Sequence, residues 1–356
     1  NINQTNTSLV DVMGTQSPQI TMIILVTVIS CLILVTVLGN TLVILAFIED
    51  RRLRNRSNFF LLNLAICDFF IGAFAIPLYV PYMLTGKWLL GKFLCKLWLI
   101  VDYTMCTASA FNVALISWDR FLSVTQAVGI SFHFPSSYWP CQTVIKMAAV
   151  WILSFLLYGP AIIFWDFVPS TEEIPENICV AGFYYTWYYL LTASAFGFLL
   201  PLISISFFNL SIYCNIKKRS RRKIQNSISL PPQKSRKKAK LCTIATNITL
   251  QHCFPYRKPS SFTHNEATLQ HRNISQVKLS RDEKIARSLS ILVGVFVICW
   301  APYTFLSSIR AACSGYCIQS YWYDITVWML YMNSAINPIL YPLCHKSFRK
   351  AFILVV

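Results

Sequence analysis

The residues of this sequence best placed to do chemistry are charges set inside apolar stretches: Asp68, Asp102, Asp119 and Arg120. An ionisable side chain in hydrocarbon is costly, so each marks a functional site by default. Three of them share one stretch, CKLWLIVDYTMCTASAFNVALISWDR at 95–120. As a single helix its 25 steps rise ~38 Å, against a hydrocarbon core ~30 Å thick. Asp102 then lies about two turns inside one interface, and Asp119-Arg120 lie at the other. Cys106 shares the helix face of Asp102 one turn on, with Tyr103 beside it. A lone buried carboxylate neutralises or finds a partner, and no Lys or Arg lies at the depth of Asp102 in any other apolar stretch. Tyrosine hydroxyls would satisfy it structurally. A protonated amine would satisfy it functionally, gaining roughly 4 kcal/mol at ~4 Å and an effective dielectric near 20, before desolvation. Tyr103, Trp300, Tyr303, Trp328 and Tyr331 are the aromatic candidates to cage such a cation. Tyr331 could also donate its hydroxyl to Asp102.

The elements that must hold these residues are membrane spans. Of the 356 residues, 55% are hydrophobic and 13% charged, which points to lipid as solvent. Long apolar segments fall at about 20–48, 58–84, 95–120, 144–165, 184–216, 284–309 and 322–343, each expected to be a spanning helix. Pro302 should bend the sixth, with Trp300 and Tyr303 on its outer half. The expectation is an all-α membrane protein, a seven-transmembrane helix bundle with a short amphipathic eighth helix, HKSFRKAF, near the C-terminus. The net charge of +17 would suit nucleic acid, but its placement argues otherwise. All of the 31 Lys and Arg except Lys87, Lys92, Lys96 and Arg310 fall on one side of the proposed spans. Asp11, Asp166, Glu172, Glu173, Glu176 and Asp324 share the Lys-poor side. That asymmetry is the positive-inside pattern and not a nucleic-acid footprint.

An odd number of spans puts the termini on opposite sides, with the N-terminus outside and the basic loops and C-terminus cytoplasmic. Segment 1–19 is then an extracellular tail, in which Asn3 and Asn6 head glycosylation patterns. The first apolar run is too long for a cleavable signal peptide and lacks a basic lead, so it is expected to be a span. Segments 20–216 and 284–343 hold the spans, and 344–356 the terminal helix. Segment 217–283, with KKRSRRK and KSRKKAK, is an inner loop expected to be largely disordered and drawn to anionic lipid. Cys31, Cys67, Cys106 and Cys299 lie in apolar runs as small hydrophobes. Cys95, Cys179, Cys313 and Cys317 all fall on the outer side, where disulfides persist.

Gly39-Asn40, LNLAICD ending at Asp68, Cys95, Asp119-Arg120-Phe121, Trp151, Pro201, CWAPY at 299–303 and NPILY at 337–341 occur in this order on these spans. The chain thereby resembles the rhodopsin-class G-protein-coupled receptors across essentially all its spans. IPLYVPYMLTGKW, LLYGPAI, WAPYTFL, SIRAAC and LYPLCHKSF are similar to the biogenic-amine receptors, and most to the histamine receptors of the type-3/type-4 subgroup, type 3 in particular. The resemblance implies that Asp102 is the counter-ion of a protonated amine, histamine first, and that a heterotrimeric G protein of the inhibitory class is the partner. It implies an allosteric sodium ion at Asp68, Ser109, Asn333 and Ser334. The alternative there is a protonated Asp68 hydrogen-bonded to Asn40 and Asn337. It implies a switch in which Arg120 pairs with Asp119 and Asp282, with Asn337, Pro338 and Tyr341 taking part. It implies a Cys95–Cys179 bridge from the third helix to the second outer loop, and a small loop closed by Cys313 and Cys317.

Three features depart from the subgroup. Its acid four residues before the helix-five proline is Gly197 here, and its helix-seven Trp is Tyr331. The second inner loop has no Lys or Arg between Arg120 and Lys146 and reads GISFHFPSSYWPC where the subgroup is basic. These keep two alternatives open: a receptor for another biogenic amine, or a divergent receptor-like protein that does not answer histamine. Enzyme chemistry has little support, since there is no catalytic pair at one depth, no HExxH-type pattern and no phosphate loop. A retinal-type pump would need a lysine between Trp322 and Leu343, and there is none.

Overall fold

The computed structural model describes residues 18–126, 139–168, 177–184, 186–228, 290–313 and 317–344, with positions 175, 287, 349 and 352 besides. Its coordinates form two units, residues 1–212 with 285–356, and residues 213–284. Seven long helices run through the described residues: α1 Pro18–Glu49, α2 Arg56–Thr85, α3 Gly91–Gln126, α4 Trp139–Phe164, α5 Trp187–Ile228, α6 Ser290–Ala312 and α7 Ser320–Cys344. Six are long and apolar enough to cross a membrane by length and composition. The seventh is long enough but more polar, and it spends its Thr326, Asn333, Ser334 and Asn337 on buried positions.

Local chemistry sets the shapes of these helices. Asn55 caps the start of α2 by accepting from the Asn58 amide at 3.1 Å. Pro77 lacks an N–H and cannot close the α-helical ladder, and a π turn at Ile71–Ala75 precedes it. The same device precedes Pro201, where Ala195–Leu199 form the π turn of α5. Gly86 ends α2 at φ +65°, a left-handed cap that suits glycine, with its amide on the Tyr82 carbonyl at 2.9 Å. In the second unit α5 continues through the basic residues Lys217–Lys223 to Ile228, and Lys217 lies over the Tyr213 ring at 5.6 Å.

The helices turn their apolar surface outward and their polar side chains inward. Ile23, Ile152, Ile203 and Phe305 are each more than half exposed, while Asn40, Asp68, Asn112 and Asn337 are buried. An exposed apolar belt of this kind is tenable in lipid, not in water. α3 is the central strut, packed against α2 and α4 and touching the π turn of α5. Asn63 on α2 ties it to its neighbours, donating to Asn112 and accepting from the Trp151 indole, both at 2.8 Å.

Helix α1 closes on α7 where there is no side chain to hold them apart. A Cβ on Gly39 would stand 2.8 Å from Pro338 Cγ. Gly39→Val is therefore expected to lower stability by about 1–3 kcal/mol through overpacking, read as a fall in Tm of the purified protein in detergent.

Candidate functional site

The outer half of the bundle builds a cavity wall around Asp102. The Asp102 carboxylate points from α3 toward α7, where the Tyr331 hydroxyl donates to Oδ1 at 3.0 Å and Cys106 Sγ lies 4.0 Å from the same oxygen. Among the described residues Oδ2 accepts no hydrogen bond, and no Lys, Arg or His pairs with the carboxylate. Asp102 is partly exposed, whereas Asp68 is wholly buried. One oxygen is thus fixed by a phenol and the other is left for an incoming donor. A positively charged group is the partner that leaves no charge uncompensated.

Aromatic rings of several helices pack against one another on the α3 and α7 sides of this site. Tyr331 lies edge-on to Trp328 at 5.9 Å and to Tyr79 at 6.0 Å. The Trp328 indole donates to Met83 Sδ at 3.3 Å. Tyr103 sits 4.9 Å from Tyr158 and 5.9 Å from Phe183, within side-chain hydrogen-bonding reach of Tyr303. Trp300 instead joins a stack with Phe296 at 5.4 Å and Phe198 at 6.4 Å. The five aromatics expected from the sequence therefore fall into three groups: Trp328 with Tyr331, Tyr103 with Tyr303, and Trp300 apart.

Several wall residues escaped the sequence reading. Tyr79 and Trp98 stack at 6.0 Å, and the Trp98 indole donates to the Ala75 carbonyl at 3.0 Å. Trp98 stands one turn before Asp102 on the same face, so helical spacing alone could have found it. Tyr79 donates to Asp324 at 3.1 Å, and Arg310 lies over the Tyr323 and Tyr184 rings at 4.9 and 5.5 Å. Phe183 had no usable signal. It reaches the wall because the Cys95–Cys179 disulfide, Cα–Cα 5.6 Å, anchors its loop four residues earlier. The outer bridge Cys313–Cys317 is also present, Cα–Cα 6.0 Å.

A second polar layer surrounds Asp68. Ser334 and Ser109 donate to Oδ1 at 2.8 and 3.2 Å, and Asn337 donates to Oδ2 at 2.8 Å. Asn333 is buried beside them but gives Asp68 no hydrogen bond among the described residues; Asn337 takes that place. Asn40 donates to the Ser334 carbonyl at 3.1 Å, and its own Oδ1 is buried without a hydrogen-bond partner among the described residues. One carboxylate, two hydroxyls and an unsatisfied amide oxygen form a hard donor set of the kind that suits a small cation. Among the described residues no cluster of three His, Cys, Asp or Glu could hold a transition metal.

At the inner end, Asp119 pairs with Arg56 Nε of α2 at 3.1 Å and accepts from the Ser57 hydroxyl. These partners were not expected from the sequence, which names Arg120 for Asp119. Asp282 lies outside the described residues, as do Asn3, Asn6 and most of the terminal segment 344–356. Pro338 packs on Gly39 and Tyr341 is buried.

Comparison with known proteins matches this arrangement to one family. The pattern of the 7 transmembrane receptor (rhodopsin family) covers residues 39–341. The histamine H4 receptor of Homo sapiens is 38% identical over 89% of this chain and 87% of its own length. The histamine H4 receptor of Rattus norvegicus is likewise 38% identical, over 88% of this chain and 87% of its own. A 5-hydroxytryptamine receptor 1D of Cavia porcellus is 28% identical over 93% and 88%. These relatives are receptors, not enzymes. With its buried helix-three carboxylate, polar middle layer and apolar outer surface, the chain belongs to the rhodopsin family of seven-transmembrane receptors and is a multi-pass membrane protein.

Proposed function

We propose that this receptor binds a small protonated amine at Asp102, histamine first, and activates a heterotrimeric G protein of the inhibitory class. The observation that carries the ligand reading is the Asp102 carboxylate, whose Oδ1 is held by Tyr331 while Oδ2 accepts no hydrogen bond among the described residues. The likeness to histamine H4 receptors supports the choice of amine. Gly197, where an acid stands in that subgroup, favours as the second reading a different biogenic amine. The protein is oriented with its N-terminus and Asn3 and Asn6 outside and its C-terminus cytoplasmic, in the plasma membrane. The amine ammonium bonds Oδ2 and rests against Tyr103, Tyr303, Trp328 and Tyr331. Its binding favours one packing of α3, α5, α6 and α7 over another, and the inner face around Asp119, Arg120 and Asp282 opens to the G protein. A biogenic-amine panel in a G-protein activation assay tests this. A response to histamine is expected, and silence toward every amine overturns the reading.

Sodium at the Asp68 layer is the allosteric partner in the same proposal, held by Asp68, Ser109 and Ser334 with Asn40 or Asn333 nearby. Sodium and agonist favour different packings, so linkage makes each weaken the other. Agonist affinity is expected to be lower in sodium chloride than in an organic-cation chloride of equal ionic strength. Asp68→Asn should remove that difference. Equal wild-type affinity in the two salts sinks the sodium assignment.

A further inference from the structure

The Asp102 end of the cavity accounts for one end of a ligand; the opposite wall, where α3, α4 and α5 meet, has a chemistry of its own. Tyr158 projects there from α4. Its hydroxyl stands 3.1 Å from the point a Cβ on Gly197 would occupy, so the absence of a side chain at 197 is what gives the phenol its place. Cys106 and Asp102, one turn apart on α3, lie within 4.0 Å of each other. The ring is fixed against Tyr103 at 4.9 Å and Phe183 at 6.3 Å. The α5 side of this corner is rigidly tied to α4 by the Tyr189 hydroxyl, which donates to the Leu157 carbonyl at 2.6 Å.

No carboxylate serves this wall among the described residues. Asp166 is taken by Lys92 and Lys96 at 3.0 and 2.8 Å, and Asp324 by Tyr79. A second positive charge on the ligand would find no counter-ion here, and taking it out of water would go uncompensated. A phenol, by contrast, both donates and accepts, so it matches an uncharged ring nitrogen, N–H or hydroxyl.

Building on the amine reading above, we propose that Tyr158 is a specificity-determining residue that hydrogen-bonds the far end of the ligand and selects a monocationic amine with a neutral polar tail. Gly197 leaves the phenol room. Histamine with an uncharged imidazole belongs to this class, and so does an amine carrying a phenolic tail. A ligand charged at both ends does not.

The test uses membranes holding the full chain, with histamine and 2-phenylethylamine competing against one radiolabelled amine. The two share an ethylamine head, and only histamine has a tail that can hydrogen-bond. Tyr158→Phe should weaken histamine about tenfold, the typical worth of one hydrogen bond, and leave 2-phenylethylamine unchanged. Lowering the pH from about 7.5 to 5.5, which charges a free imidazole with a pKa near 6.5, should cut wild-type histamine affinity relative to 2-phenylethylamine by roughly tenfold. That relative loss should shrink in Gly197→Glu, which supplies a carboxylate at the wall. Equal weakening of both amines by Tyr158→Phe would mean that the residue only packs, and would overturn the proposal. Asp102→Asn separates the two readings. If it abolishes binding of both amines while Tyr158→Phe leaves their ratio intact, the amine site stands and the tail assignment falls. If it spares both, the amine site falls as well.

Discussion

Asp102→Ala is expected to lower the affinity for the activating amine about a thousandfold, with little change in the amount of folded receptor. The magnitude follows from the ion pair: roughly 4 kcal/mol at ~4 Å and an effective dielectric near 20, at about 1.4 kcal/mol per tenfold. Folding should suffer little because the carboxylate has only the Tyr331 hydroxyl and the Cys106 thiol as partners among the described residues. Losing it leaves the buried Tyr331 hydroxyl one unmade hydrogen bond, a cost offset because a carboxylate no longer has to be buried. Saturation binding with a labelled amine, beside a thermal unfolding curve of the same preparation, separates the two effects. Amine affinity within threefold of wild type in a folded variant would remove Asp102 as the counter-ion, and with it the ligand class.

Cys95→Ser should have the next largest effect, on both stability and binding. The Cys95–Cys179 bridge closes a separation of 84 residues, while Cys313–Cys317 closes 4. On the chain-entropy estimate these are worth roughly 4.5 and about 2 kcal/mol. The larger loss falls where it matters for the ligand. Phe183, fully buried, is held by this bridge against Tyr189 at 4.5 Å, Trp165 at 5.6 Å and Tyr103 at 5.9 Å. Freed from Cys95, its loop no longer keeps Phe183 against the phenols of α3 and α4, so amine affinity should fall at least tenfold along with Tm. Cys317→Ser should shift either quantity much less. Comparable losses in the two variants would show that the loop is held by packing and not by its bridge.

The outcome at individual residues shows how far a sequence of this kind can be read. The buried charges were legible because lipid makes them conspicuous: Asp68 and Asp102 stand out against apolar neighbours, and both prove to face polar partners inside the bundle. The link from Tyr331 to Asp102 was also legible, since both lie on the outer half of their helices. Asn337 donates to Asp68, as the hydrogen-bonded alternative expected, while Asn333, one turn before it, gives Asp68 no hydrogen bond among the described residues. Sequence spacing places both residues near that depth, and helix rotation decides between them. Asp119 was read with Arg120, its neighbour in sequence, and the approach of Arg56 and Ser57 from α2 was not foreseen. A contact between helices 62 residues apart leaves no local signal. Gly197 was read as a missing acid. The structure shows what the absence makes room for, the Tyr158 hydroxyl.

Sequence alone thus determined the solvent of this protein, the family and which cysteines could pair. Hydrophobic run length, charge asymmetry and local motifs fix those quantities, and all are properties of single segments. Tertiary structure decided which face of each helix meets which neighbour. It placed Phe183 by a disulfide, bent α2 and α5 through π turns ahead of Pro77 and Pro201, and set Tyr158 opposite Gly197. Helix rotation and crossing follow from packing among several segments at once, so Asp102 was visible in one helix, and the approach of Tyr158 to Gly197 appeared only when the helices were brought together.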